Sequence, residues 1–417
     1  MTEPVVFDVD NDDYDPFEAF DRAQGAETVA DPHTGFAALL SRCPVHQGSA
    51  GELMGIDNAI SLDMLESGPT YTVFSYSGVE QVLRDHETFS SSAYANSMGL
   101  VMGHTILEMD EPEHGRYRRL IQQAFTRKEM ERWEHELVRP TVNASIDAFE
   151  ERGRADLVKE LAFSFPNQVI AQAMGLPEAD RPQFYRWAVE ITNMASVPER
   201  GFAASVALGE YFGRLAAERR DAPGTDLISL LTQCELDGQR LTDEEIFAFL
   251  RLLLPAGSET TYRSSSNLLY GLLTHPDQLD ALRADRSLMA GAIEEGLRWE
   301  PPLTGIARTA VRDVEIDGVH VPAGASIGVC LGAANRDPER FENPEDFDIR
   351  RTQINHLAFA SGPHMCLGMH LARMETAVML EIVLDRLPNL RLDPDADANP
   401  IMGFTFRAPR TLPVVFG

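Results

Sequence analysis

The stretch TDEEIFAFLRLLLPAGSETTYRSSSNLLYGLLTHP, residues 242–276, constrains the fold of this chain more than any other. Thr242 with Glu245 makes a capping-box start, and His275-Pro276 marks the end. The centre is apolar on nearly every side. A helix without a polar face has to run through a core, with other elements packed around it. It also carries two features that a merely structural core helix avoids. Pro255 removes a backbone N–H and leaves the carbonyl of Arg251 without its helical partner, so a kink is expected. Glu259 places a carboxylate mid-helix, where burial is costly unless something needs it.

The rest of the chain can supply such a core. From about residue 112 to 290, segments such as PEHGRYRRLIQQAF and DLVKELAFSFPNQVIAQAMGL carry apolar residues at three- and four-residue spacing. Before them, TYTVFSY (70–76) reads as a strand and SGVEQVLRDHETF (77–89) as a short helix. SSSAYANSMGLVMGH (90–104) reads as a long loop, of the kind that tends to be functional. After residue 300, RTAVRDVEIDGVHVPAG alternates apolar and polar residues, and Asp317-Gly318 is a hairpin signal. LGMHLARMETAVMLEIVLDRLP returns to helix. The expected class is mainly α with a smaller β portion. No linker or repeat divides the 417 residues, so residues 1–417 are expected to form a single domain, with 1–30 an irregular N-terminal extension.

A net charge of −29 argues against nucleic-acid binding, which needs a basic footprint. The acidic, proline-broken N-terminus does not read as a signal peptide, and no apolar run is long enough to span a bilayer, so a cytoplasmic protein is expected. The four cysteines, Cys43, Cys234, Cys330 and Cys366, form no CxxC pair. Free thiols are expected, and a Cys-rich zinc site is not.

Cys366 stands apart because of its surroundings, FASGPHMCLG (359–368). A random cysteine is most often a small buried hydrophobe. Here Gly362 and Pro363 keep the preceding backbone out of helix, and Cys366 stands at the start of the next one, where unpaired N–H groups stabilise a thiolate. Gly368 leaves space beside the sulfur. Such a thiolate suits a large planar metal cofactor. The arrangement resembles the haem-binding loop of the cytochrome P-450 family, Phe-x-x-Gly-x-His/Arg-x-Cys-x-Gly, through Phe359, Gly362, His364, Cys366 and Gly368; Ala360 stands where the family usually has Gly or Ser. The resemblance implies the cytochrome P-450 fold, with haem b (iron protoporphyrin IX) between the long central helix and the Cys-bearing loop. It makes Cys366 the axial metal ligand, with Phe359 packed beside it and His364 at a haem propionate. An axial thiolate favours O–O cleavage over reversible oxygen binding.

Remote segments carry the same resemblance. AGSETT (256–261) is similar to the family's acid–alcohol pair above the haem, Glu259 and Thr260 acting as a proton relay. Ala256 would lie against the haem, and Gly257 would widen the helix to admit oxygen. In EEGLRWEPP (294–302), Glu295 and Arg298 share a helix face and resemble the family's Glu-x-x-Arg clasp. Their third partner is expected from NRDPERFENPEDFDIRR or from His356. His114 and Arg118 lie four apart in MDEPEHGRYRRL, and Arg308 opens a strand in GIARTAV. By resemblance these three join His364 in neutralising the propionates. The substrate pocket is expected from Met98, Leu100, Val101, Met102, Leu252, Pro255, Leu303, Thr304, Ile306 and Phe404, with no evident charged anchor.

The implied function is an O2-dependent monooxygenase that hydroxylates a small to medium lipophilic substrate: a terpenoid, steroid, fatty acid or aromatic. The chain has neither a ferredoxin-like cysteine cluster nor a Rossmann glycine fingerprint, so electrons from NAD(P)H are expected through a separate ferredoxin and its reductase. Arg116, Arg118, Arg119, Arg127, Lys128 and Arg132, with Arg373, are expected to form the basic face on which that ferredoxin docks. Three readings compete: a peroxide-driven haem peroxygenase, a non-enzymatic haem-binding protein such as a gas sensor, and a helical scaffold without cofactor.

Overall fold

Thr242 opens the central helix as its sequence directs. Its hydroxyl accepts from Glu245 N at 3.2 Å, and the Glu245 carboxylate accepts from Thr242 N at 2.7 Å. A cap of this kind contributes about 1 kcal/mol. The structure, a computed structural model, describes residues 18, 21–22, 28–56, 68–195, 197–352, 354–396 and 399–417. The N-terminal extension expected over 1–30 lies largely outside the described residues.

The helices that frame the site are α1 (His33–Arg42), α2 (Gly99–Met102), α3 (Glu113–Gln122), α4 (Pro198–Asp221), α5 (Asp243–Leu254), α6 (Thr260–Thr274), α7 (Met289–Trp299) and α8 (Met369–Arg386). One sheet is built from β1 (Val45–Gln47), β2 (Thr70–Val73), β3 (Phe89–Ser90), β4 (Gly305–Ala310) and β5 (Ser326–Cys330). Its spatial order is β1-β2-β5-β4-β3, and only β5 against β2 is parallel. The expected hairpin is present: Val314–Ile316 pairs with Val319–Val321. Asp317 and Gly318 between them both have positive φ, 47° and 79°, as a two-residue turn of that hand requires.

The single helix expected over 242–276 is helical throughout but not uniform. Between α5 and α6 lies one π-helical turn, Pro255–Glu259. Proline has no N–H to give to Arg251, and a wider turn absorbs that loss without ending the helix. The helix is packed on all sides, as its composition demands. One apolar cluster gathers Ile246, Phe249 and Leu250 of α5 with Trp133 and Phe212. A second gathers Leu268, Leu269 and Leu272 of α6 with Met379, Val383 and Leu387. Full burial of each such side chain contributes about 1.5–3 kcal/mol.

The stretch 90–104 differs from expectation. It is two short helical pieces, Ser92–Asn96 and α2, not an open loop. Tertiary ties override its weak local pattern: Ser91 N donates to Asp110 at 2.9 Å, and the Ser205 hydroxyl of α4 donates to the Val101 carbonyl.

Candidate active site

Positive φ angles shape the loop before α8. Ala360 sits at φ 58° and Gly362 at 73°. A β-carbon on Gly362 would lie 2.4 Å from the Leu83 carbonyl, so glycine is required there twice over. The loop then turns back, and Cys366 N donates to Phe359 O at 2.9 Å. Burial pushes the Cys366 thiol up, while the amides of Gly368 and Met369 and the charges of Arg118 and Arg373 pull it down. Cys366 is nevertheless accessible. The thiol therefore borders open space despite its closely packed loop. Gly368 borders the same space: nothing lies within 4 Å of where its β-carbon would be. Phe359 packs under the Arg373 guanidinium, 4.5 Å from its ring centre.

Above this loop, the structure brings together all four groups expected at the propionates. The His114 and His364 rings stack with centroids 4.0 Å apart. His364 Nε2 meets the Ser91 hydroxyl at 3.2 Å, and His114 Nδ1 meets Glu111 at 3.1 Å. Both imidazoles are held neutral: burial, then the positive charge of Arg308, lowers His364 to about 2, and burial lowers His114. His114 Nε2 is buried with no partner. Arg118 bonds to the Met365 carbonyl at 2.6 Å, and Arg308 to the Ala307 carbonyl at 2.6 Å and to the Tyr94 hydroxyl. Neither has a carboxylate within ion-pair distance among the described residues, although burial holds both below the ordinary guanidinium range. A buried Arg308 and a half-buried Arg118 without carboxylate partners, and a buried imidazole nitrogen without a partner, are costly arrangements. They fit a ligand that brings two carboxylates, as haem b does, and the open space beside Gly368 fits its plane.

On the central helix, Ala256 is exposed although the helix around it runs through the core. Gly257 is not: its β-carbon position lies 3.1 Å from Ile170 Cδ1. The helix is indeed wider here, since Gly257 lies in the π-helical turn, but the glycine itself faces the helix Ser164–Ala173 and permits close packing against it. Glu259 and Thr260 do not hydrogen-bond to each other. The Thr260 hydroxyl donates to the Ala256 carbonyl at 2.7 Å. Glu259 Oε1 accepts from Arg263 Nε at 2.8 Å, and Arg263 also reaches Asp21 at 2.7 Å. Burial raises Glu259 above the usual carboxylate range, Arg263 opposes that rise and Asp21 adds to it.

The Glu295–Arg298 clasp is complete. Both side chains are fully buried, and the pair is bidentate at 2.7 and 2.8 Å. Its third member is Arg351, at 3.1 Å from Glu295, so the NRDPERFENPEDFDIRR segment provides it. Arg298 also donates to the carbonyls of Asn335, Pro344 and Asp346, pinning the segment that leads to the cysteine loop. His356 is engaged elsewhere, with Glu294 at 3.2 Å.

The expected pocket residues divide. Pro255, Met98, Leu303 and Ile306 are partly buried, and Val101, Met102 and Leu252 are buried in the core. Leu100 is exposed, and Thr304 spends its hydroxyl on the Phe404 carbonyl at 2.7 Å. Phe404 is a correction: its ring packs 5.9 Å from Phe36 in a cluster with Phe74 and Leu39, so it belongs to the core under α1. The basic face is also thinner than expected. Arg116 pairs with Glu245, Arg127 with Glu131, Arg132 with Glu129, and Arg373 with Glu294. Arg119 and Lys128 are exposed, and no ion pair to either is found among the described residues. Sequence reasoning passed over Arg263, although its i, i+4 spacing from Glu259 signals it. It also passed over Glu375, a fully buried acid on α8, and over Arg251.

Comparison with known proteins converges on one family. The family model described as Cytochrome P-450 matches residues 207–410. The cytochrome P-450 monooxygenase PikC of Streptomyces venezuelae is 36% identical over 386 residues, covering 89% of this chain and 87% of that one. The biotin biosynthesis cytochrome P-450 of Bacillus subtilis is 32% identical over 404 residues, covering 94% and 98%. The crystal structure of CYP109E1 from Bacillus megaterium in complex with testosterone superposes with a TM-score of 0.82 at 32% identity, covering 93% of this chain and 99% of that one.

Proposed function

This chain belongs to the cytochrome P-450 family and is a haem b monooxygenase, and we propose that it hydroxylates a small to medium lipophilic substrate with electrons passed from NAD(P)H through a reductase and an iron–sulfur ferredoxin in the cytoplasm. The observation that carries the reading is the cradle of His114, whose buried Nε2 has no partner, with Arg118 and Arg308, which have no carboxylate within ion-pair distance among the described residues, beside the accessible thiol of Cys366. The relatives bear names as different as a biotin biosynthesis enzyme and a testosterone complex, so family membership leaves the substrate open.

Haem b, when bound, supplies the iron at which oxygen is activated, with the thiolate of Cys366 donating electron density to it. Arg118, Arg308 and His114 would hold its propionates, and Phe359 would pack beside the sulfur. Glu259 is poised to hold a proton, because burial raises it and its carboxylate is shared with Asp21 around one guanidinium. The Thr260 hydroxyl rests on the Ala256 carbonyl, next to the exposed Ala256 face, where it can present a proton to the opening; it does not bond to Glu259 directly, so the relay between them needs an intervening carrier. Pro255, Ile306 and Leu303 line the approach with apolar surface, which excludes water and favours a lipophilic substrate.

The test is the absorption spectrum of the reduced, carbon-monoxide-bound protein. The far-red-shifted Soret band of a thiolate-ligated haem is expected in the wild type and lost in Cys366→His. Its absence from the wild type would sink the reading.

A further inference from the structure

Four described arginines are held below the ordinary guanidinium range by burial: Arg118, Arg251, Arg298 and Arg308. Arg298 has Glu295, and Arg118 and Arg308 face the propionate cradle. Arg251 has no such account. It lies on α5, one turn before Pro255, where α5 meets α4 and α2. Its Nε donates to the Ser205 carbonyl of α4 at 3.2 Å, which leaves both terminal nitrogens of the fork unused. No carboxylate lies within ion-pair distance of it among the described residues; the acid it feels is Glu244, two turns away and exposed.

Gly209 makes room for this guanidinium, and Gly103 borders it. A β-carbon on Gly209 would lie 2.3 Å from Arg251 Nη2, and one on Gly103 would lie 3.8 Å from Nη1. In a chain of net charge −29, where most buried arginines are paired, a half-buried guanidinium with no carboxylate partner among the described residues, seated against Gly209, is placed to receive an anion. The adjoining surface of α2 and α4 exposes apolar side chains. Leu100, Phe202 and Val206 are exposed large hydrophobics. They flank the contact between Val101 of α2 and Ser205 of α4.

We propose that Arg251 anchors the carboxylate of an amphiphilic substrate at the junction of α2, α4 and α5, so that the aliphatic body runs past Pro255 to the opening beside Ala256. This rests on the monooxygenase reading above and narrows its substrate class. Arg251 and Ala256 are five residues apart, about 8 Å along a helix axis. Oxidation therefore falls on carbons remote from the carboxylate. Two parallel N–H bonds from this guanidinium to a carboxylate distinguish an acid from its ester.

The haem-loaded protein is titrated with dodecanoate, hexadecanoate and lithocholate, each against its methyl ester, and with acetate. Binding is read by the low-to-high-spin shift and independently by calorimetry, in wild type, Arg251→Gln, Arg251→Lys and Gly209→Ala. At least one acid is expected to bind tenfold or more tightly than its ester. Arg251→Gln is expected to erase that preference while changing ester affinity less than about twofold; Arg251→Lys should keep part of it. Gly209→Ala keeps the charge but displaces the guanidinium, and should also reduce the preference, which guards against misfolding of the Gln variant. Equal binding of acids and esters, a preference that survives Arg251→Gln, or acetate binding as tightly as the long acids overturns the proposal. If those outcomes come with an intact thiolate-haem spectrum, the monooxygenase reading still stands; loss of that spectrum in the wild type is what would remove it.

Discussion

Arg263 Nε donates to Glu259 Oε1 at 2.8 Å, and the same guanidinium reaches Asp21 at 2.7 Å, so two carboxylates share one cation on a buried helix. Removing the cation as Arg263→Gln strands Glu259 in a desolvated site. Leaving one partner of a buried pair uncompensated costs about 3–5 kcal/mol, readable as a lowered denaturant midpoint. The sign of the second effect is equally determined. Arg263 pulls the Glu259 carboxyl down against the rise caused by burial, so its loss raises that carboxyl further. The coupling of reductant use to product should then shift its pH dependence toward higher pH. A profile that stays in place would separate Glu259 from the proton path.

Thr260→Ala removes the hydroxyl that rests on the Ala256 carbonyl without touching the Glu259–Arg263 pair. On the proposed relay, NAD(P)H is still consumed but most of it appears as hydrogen peroxide, with product falling by roughly ten- to a hundredfold. The readout is the ratio of peroxide to product per NAD(P)H. Unchanged coupling would count against the relay. Efficient turnover of the wild type with peroxide alone would favour the peroxygenase alternative.

What was legible in the sequence follows physical range. Contacts set within one helical turn were readable: the Thr242–Glu245 box, the Asp317-Gly318 turn and the Glu295–Arg298 face all stand as the spacing predicts. Motif register carried His114, Arg118, Arg308 and His364 to one place, although their rings and guanidinia meet only in three dimensions. Choices between equally spaced neighbours were not readable. Nothing local says that Phe404 turns to Phe36, that Arg351 rather than His356 joins the clasp, or that Ser91 ties down the 90–104 stretch. Charge counting failed at the basic face for the same reason, since its carboxylate partners include Glu245 and Glu294 from distant helices.

That pairing changes which residues test ferredoxin docking. Arg116 is committed to Glu245 at 2.6 Å, so reversing it would disturb the start of α5 as well as the surface. Arg119 and Lys128 are the exposed cations without such a tie among the described residues, and Arg119 adjoins the Arg118 that reaches the cysteine loop. The double change Arg119→Glu with Lys128→Glu should weaken ferredoxin affinity about tenfold at low salt and flatten its salt dependence, because the effect is electrostatic and screened. Affinity and salt slope equal to wild type, by titration with a reduced ferredoxin, would place docking elsewhere.

Glu375 offers the cleanest pH test, because it is fully buried on α8, no ion pair to it is found among the described residues, and Thr261 is the side chain that approaches its carboxyl. Burial raises it to about 8, with Thr261 opposing the rise only in part. A carboxyl raised in the folded state stays protonated where the unfolded chain has already released its proton. It therefore costs no stability below the unfolded pKa near 4.5, costs progressively more as pH rises, and levels off above about 8. At pH 7 the cost is on the order of 3 kcal/mol. Glu375→Gln keeps the shape and removes the titration. Urea unfolding of the haem-loaded protein from pH 5 to 8 should show stability falling less steeply with pH in the variant than in the wild type, the two curves separating most at pH 8. Parallel curves would mean that Glu375 has found a partner, such as an internal water, that lets it ionise in the folded protein.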